Sequence, residues 1–163
     1  MKTSKLLRIY LQDHDAIAFI TTRLIRRTRS SNKNGALADF LDELGAEAER
    51  DLLSLQVVMQ RLDVRPKRTK RTAVWIAEKA GLAKLNGRWI RYSDLSRLFE
   101  LEGLALLVTM NLSLWESLDS QLRGDSRLDG IDFGPLIQRD RGTLETLRTH
   151  RRDAAGRVFR HQA

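Results

Sequence analysis

The chain has 163 residues, carries a formal net charge of +8 and contains no cysteine. This length suits one domain, residues 1–163, that can bury its own core without disulfides or a structural metal. The lack of cysteine excludes disulfide frameworks, thiolate zinc sites, iron–sulfur clusters and cysteine nucleophiles. The positive charge favours solubility and weak attraction to polyanions, but it does not bear on the fold.

Two long helices are predicted in the first part of the chain, because apolar residues recur there at alternating steps of three and four. The first runs from about residue 4 to about residue 29. The second follows the polar tract 30–35 and ends before Pro66, since the residue preceding proline is pushed out of helical geometry. Their predicted inward seams are Leu7, Tyr10, His14, Ile17, Thr21 and Leu24 in the first helix, and Leu37, Leu41, Leu44, Ala48, Asp51, Leu55, Val58 and Leu62 in the second. The short connection predicts antiparallel neighbours.

A long connection, residues 63–92, separates these helices from the next one. It contains one proline and a turn at Asn86 and Gly87. We expect it to be a crossover that runs the length of a four-helix bundle. Residues 72–85 predict a short extra helix within it.

Two further long helices are predicted after the crossover. Ser93 is expected to cap the third, with Asp94 in its first turn. Its predicted seam is Leu98, Leu101, Ala105, Val108, Leu112, Trp115, Asp119 and Leu122. Other apolar residues occupy nearly every remaining side of this helix. We therefore expect the third helix to be the most buried. Asp132 and Pro135 open the fourth, whose seam is Leu136, Asp140, Leu144, Leu147, Arg151, Ala154 and Val158.

Three segments carry a resemblance to a known family. They read LLRIYLQDHDA at residues 6–16, AKLNGRWIRYSDLSRLFELEGL at 83–104 and LETLRTHRRDAA at 144–155. Together they resemble an uncharacterised bacterial family of about this length. The resemblance implies an all-α, ferritin-like four-helix bundle and no particular chemistry.

A metal site is not predicted. Dinuclear sites in this architecture use a Glu from each of two helices and a Glu-x-x-His motif from each of the other two, and no Glu-x-x-His occurs in the sequence. If a metal were bound, the candidate ligands would be His14, Glu47, Asp51, Glu102 and Glu145. The alternative is that the seam residues Asp51, Asp119, Asp140 and Arg151 pair with one another and fix the helix register. A lone His14 on an apolar face is then a hydrogen-bonded core residue.

Catalytic and cofactor sites are not predicted either. The sequence contains no G-x-S-x-G, no G-x-x-x-x-G-K-[ST] and no G-x-G-x-x-G. The most apolar window, residues 104–114, is shorter than the ~20 residues that span a bilayer. We expect no signal peptide in the first residues, because polar side chains interrupt their apolar run. We expect a soluble cytoplasmic protein that is not an enzyme, binds no cofactor and has no membrane span.

Three functions follow from these features. The leading prediction is a non-catalytic, self-associating interaction protein, because Trp75, Trp89 and Ile90 of the crossover offer apolar surface for an interface. The first alternative is a nucleic-acid or other polyanion-binding module whose phosphate contacts come from the basic cluster Arg65, Lys67, Arg68, Lys70 and Arg71. No aromatic residue lies within this cluster to stack on bases. The second alternative is an unusual carboxylate metalloprotein of the ferritin-like type.

Overall fold

The structure, a computed structural model, describes residues 2–67 and 92–160. All regular structure in these ranges is helical, so the predicted all-α class is confirmed. The four long helices are α1 (Lys5–Ser31), α2 (Ala36–Arg61), α3 (Asp94–Leu122) and α4 (Gly134–Arg160). A 3-10 turn, Ser126–Leu128, lies between α3 and α4. The predicted extra helix over 72–85 lies outside the described residues.

The helices pack side by side around two clusters of buried apolar residues. α1 lies against α2 and against α3, and α4 lies mainly against α3. α2 and α4 touch along only a short stretch. The interface between them, here called the α2–α4 seam, is the smallest between neighbouring helices of the bundle. One apolar cluster surrounds Leu11 and Trp115, and the other surrounds Ile25 and Leu101.

Local sequence signals explain where the helices begin. The Ser4 hydroxyl accepts a hydrogen bond from the Leu7 backbone N–H at 3.1 Å, and the Ser93 hydroxyl accepts one from the Ser96 N–H at 3.2 Å. Both serines satisfy backbone donors that the first turn of a helix leaves unpaired. The predicted cap at Ser93 is therefore confirmed. Gly35 precedes α2 with a φ of 87°, a conformation that favours glycine.

The predicted seam of α2 is confirmed, since seven of its eight residues, from Leu41 to Leu62, are buried and Leu37 is half-buried. The predicted seam of α3 is partly wrong. Leu104, Leu114 and Leu118 are buried, whereas Ala105 and Leu112 of the predicted seam are only half-buried. Because α3 carries apolar residues on every side, periodicity alone does not identify the side that faces inward.

The expectation that α3 is the most buried helix is also wrong, because eight of its residues are buried and ten of α1 are. α3 has α1 and α4 as its main neighbours, and its remaining side carries large apolar residues that stay exposed. Within the described residues, α3 is the one helix that could cross a membrane by length and composition. Core helices of soluble bundles meet the same two criteria, so this composition does not distinguish the two environments.

Candidate functional site

A cluster of polar side chains, here called the polar cluster, lies inside the bundle where α2, α3 and α4 meet. It consists of Glu47, Asp51, Asn111, Arg139 and Asp140. The Asn111 amide donates one hydrogen bond to Asp51 Oδ2 at 3.0 Å and another to Asp140 Oδ2 at 2.9 Å. The Arg139 guanidinium donates to the other carboxylate oxygen of Asp51. Glu47, one helical turn before Asp51, accepts a hydrogen bond from the Thr143 hydroxyl at 3.4 Å.

Burial sets the electrostatics of the polar cluster. Asp51 and Asp140 are both buried. Burial and the negative charge of Asp51 together raise the pKa of Asp140 to about 7, although the Asn111 hydrogen bond opposes the shift. Burial also raises the pKa of Asp51, although Arg139 opposes that shift. The two carboxyl groups therefore hold a proton into the neutral pH range, where an exposed Asp is fully ionised.

The polar cluster borders a small internal cavity. Water-molecule centres can occupy ≈ 20 Å³ of it, which is room for about one water. Outside it, a groove of ≈ 490 Å³ runs between α2 and α4 and shares Leu44 and Glu47 with the cavity lining. In that groove the Phe40 and His150 rings lie with their centroids 5.1 Å apart. The thin α2–α4 seam thus separates the buried Asp51 and Asp140 from solvent, whereas Glu47 and Arg139 line the groove.

The structure brings together only part of the candidate metal-ligand set. Glu47 and Asp51 meet in the polar cluster, but Glu102 instead lies 3.8 Å from the Arg151 guanidinium. Glu145 pairs with Arg148 at 3.0 Å on the surface of α4. His14 is buried in α1 with its ring centroid 4.5 Å from that of Tyr10. Across residues 2–67 and 92–160, no group of three or more His, Asp or Glu side chains could hold a metal ion.

The expected pairing of charged seam residues is only indirect for Asp51 and Asp140: the Asn111 amide joins them across two helices, and the ion pair of Asp51 is with Arg139. It is wrong for Asp119, which pairs with Arg123 one turn along its own helix at 2.7 Å. Arg151 interacts with Glu102 and not with a seam aspartate.

Two members of the polar cluster were not predicted from the sequence. Asn111 falls between two predicted seam positions, and Arg139 directly precedes Asp140. One signal could have identified Asn111, because an amide side chain within the most apolar run of the chain needs a buried hydrogen-bonding partner. No comparable signal marks Arg139, since arginines are frequent throughout the chain.

The predicted basic cluster is described only in part. The Arg65 and Lys67 side chains are exposed. Arg68, Lys70 and Arg71 lie outside the described residues, as do Trp75, Trp89 and Ile90. Phosphate binding by this cluster therefore stays a prediction.

A stripe of apolar residues, here called the outer stripe, runs along the exposed side of α3. It consists of Leu95, Phe99, Leu106 and Met110, whose exposed fractions are 47%, 64%, 70% and 42%. Since each residue turns an α-helix by about 100°, these four lie within an arc of about 60°. Leu104, which is fully buried, lies on the opposite side of the helix. α3 is therefore apolar on its inward side and on its solvent side.

No protein-family model, curated protein or solved structure matches the chain. The outer stripe and the polar cluster are two features of the described residues that apolar packing between the helices does not explain.

Proposed function

We propose that the protein is a non-catalytic interaction protein, built as a ferritin-like four-helix bundle with a long crossover, that pairs with a second copy of itself through the outer stripe. The exposure of the four stripe residues on one side of α3 is the observation that supports this proposal. Single exposed apolar residues are normal on soluble proteins, but contiguous apolar patches mark interaction surfaces.

The spacing of the outer stripe favours a second copy as the partner. Leu95 and Met110 are 15 residues apart, Phe99 and Leu106 are 7 apart, and both pairs are centred between Glu102 and Gly103. A two-fold axis through that point would place Leu95 opposite Met110 of the other copy, and Phe99 opposite Leu106. An interface formed by the same patch on both copies must be self-complementary in this way.

The surroundings of the outer stripe are compatible with two antiparallel copies of α3. Thr109, Ser113 and Ser117 are exposed on the same helix and would form a polar rim. Glu102 lies close to the proposed axis, where two carboxylates would repel each other. Arg151 of the same chain lies 3.8 Å from Glu102 and offsets that charge.

The size of the outer stripe predicts weak pairing. Two copies would bury eight apolar side chains that are each about half exposed, which gives roughly 6–12 kcal/mol. Association costs an estimated ~4–15 kcal/mol in lost translational and rotational freedom. The most favourable combination of these figures, about 8 kcal/mol, corresponds to micromolar affinity, so we expect a dimer no tighter than micromolar that dissociates on dilution.

Sedimentation velocity over a range of protein concentrations tests this proposal. The wild type should shift from the mass of one chain to that of two, and Leu106→Lys should remain a single chain because it places a charge in the interface. Leu53→Lys is the matched control, since Leu53 lies on α2 and is 61% exposed, close to the 70% of Leu106. A wild type that stays monomeric throughout, or equal dissociation by both variants, would contradict the proposal.

A further inference from the structure

Ionised and hydrogen-bonded side chains cross the α2–α4 seam beside the ring contact of Phe40 and His150. α2 and α4 meet along a short stretch, and the polar cluster spans it. Asp51 and Glu47 come from α2, and Arg139 and Asp140 come from α4. The attachment of α4 to α2 therefore depends on the balance of charge within a buried group.

That balance is unfavourable when every carboxyl group is ionised. The polar cluster then holds three carboxylates, those of Glu47, Asp51 and Asp140, and one guanidinium, that of Arg139. Asn111 adds no charge, and its amide has two hydrogens, both of which are already donated. α1 contributes Ala18 and Thr21 to the lining of the adjacent cavity, and neither of these titrates. A proton on one carboxyl group relieves the repulsion at little structural cost.

We propose that the α2–α4 seam is a pH-sensitive latch, which closes most firmly while Asp140 holds a proton and opens more often once that proton is lost. Opening exposes Asp51 and Asp140 to the groove between α2 and α4, which Glu47 and Arg139 already line in the closed bundle. Solvent then hydrates the carboxylates that repel each other inside the closed bundle. Because α4 also packs along α3, we expect local separation at the seam without global unfolding.

The raised pKa of Asp140 gives the direction of the effect. Its pKa is about 7 in the closed bundle, and an exposed Asp has an ordinary value of 3.8. The closed state therefore binds a proton that the open state releases. Closure is strongest below about pH 4 and weakens as pH rises towards about 7, where the closed state also loses the proton. For one proton, the opening equilibrium constant rises by at most about tenfold per pH unit in this window.

Amide hydrogen exchange of the full chain, followed residue by residue by NMR, tests the latch. Exchange rates of wild type and Asp140→Asn are compared at each pH from 4.5 to 8, so that the intrinsic pH dependence of exchange cancels. Seam amides in α2 and α4 should open progressively more in the wild type as pH rises to about 7, and Asp140→Asn should lose most of this trend. Asp119→Asn is the matched control, because Asp119 pairs only with Arg123 of its own helix in the described contacts, and it should behave as the wild type does.

A second measurement covers the case in which Asp140→Asn does not fold. The carboxyl ¹³C shift of Asp140 in the wild type should titrate near pH 7. A midpoint below about pH 5, or seam exchange that is equal in wild type and Asp140→Asn at every pH, would overturn the latch. Neither result would alter the proposal that the outer stripe pairs two copies, since that stripe lies on the other side of α3.

Discussion

Asp51 of α2 and Asp140 of α4 accept hydrogen bonds from the same side-chain amide, that of Asn111 on α3. One residue thus fixes the positions of two helices relative to a third. A shift of α4 by one helical turn would place Leu136 or Leu144 where Asp140 now lies, so Asn111 would lose one acceptor and Arg139 would move away from Asp51. A buried polar contact of this kind adds less stability than apolar packing would, but it favours one helix register over the alternatives.

The first prediction concerns the amide that joins the two carboxyl groups. Replacing Asn111 with Leu leaves Asp140 without the donor described for it, and leaves Asp51 with Arg139 as its remaining donor. We expect the free energy of unfolding to fall by roughly 2–5 kcal/mol, as for other losses of a buried partner of a charged group. Denaturant unfolding measures this loss. Ser113→Ala, at an exposed position of the same helix, should change stability by less than about 0.5 kcal/mol. An Asn111→Leu variant as stable as the wild type would show that the shared amide does not stabilise the fold.

The second prediction concerns the two faces of α3. Leu104 is fully buried and Leu106, two residues later, is 70% exposed. Leu104→Ala should cost ~2–5 kcal/mol, because it removes buried methylene groups and leaves a cavity. Leu106→Ala should cost less than about 0.5 kcal/mol. Both are measured by denaturant unfolding at a concentration low enough to keep the chain monomeric. Equal losses in the two variants would mean that Leu106 is also part of the core.

The sequence predicted where the helices begin and end better than it predicted which side of each helix faces the core. Ser93 and Pro66 marked the start of α3 and the limit of α2 correctly, because capping and proline geometry act within a few residues. The inward side of α3 depends on which helices pack against it, and apolar residues on all its sides left that undetermined. Leu106 shows this limit, because it lies within the most apolar run of the chain and is nevertheless exposed.

The polar cluster was predictable only in part. Asp51 and Asp140 interrupt apolar seams, so the sequence alone indicated that they are buried and paired. The partner that joins them, Asn111, lies on a third helix, and its position depends on the rotation of α3 about its axis. The candidate ligand His14 shows the same limit, because sequence spacing could not tell whether it faces Tyr10 or the carboxyl groups of the polar cluster.

The third prediction concerns the buried histidine. Burial lowers the pKa of His14 below its usual 6.5, although the charge of Asp13 opposes the shift. A lowered pKa means that the unfolded chain binds this proton more readily. His14 should therefore stabilise the fold above about pH 6.5, and that contribution should be lost as pH falls through the lower pKa of the folded state.

The non-titrating variant His14→Gln isolates this effect. Between pH 7.5 and pH 5, the free energy of unfolding should fall more in the wild type than in the variant. The titration of Asp140 acts in the opposite direction over this range, but it is common to both proteins and cancels in the difference. An NMR titration that places the pKa of His14 at or above 6.5 would contradict the prediction.

The most direct test of the central claim is whether two copies pair antiparallel along the outer stripe. The chain contains no cysteine, so a single introduced cysteine reports one position. Glu102→Cys lies next to the proposed two-fold axis, which brings the two introduced thiols close together. Ser113→Cys lies along the same side of α3 but ten to eleven residues from the axis, so its two copies would be about 30 Å apart.

Cross-linking each variant with a short bis-maleimide, followed by denaturing electrophoresis, distinguishes the possible arrangements. The account predicts cross-linked dimers for Glu102→Cys and none above background for Ser113→Cys, with Leu53→Cys on α2 as the control for random collisions. Equal cross-linking at positions 102 and 113 would indicate parallel pairing. Cross-linking at position 102 no greater than at position 53 would contradict the proposal that the outer stripe joins two copies.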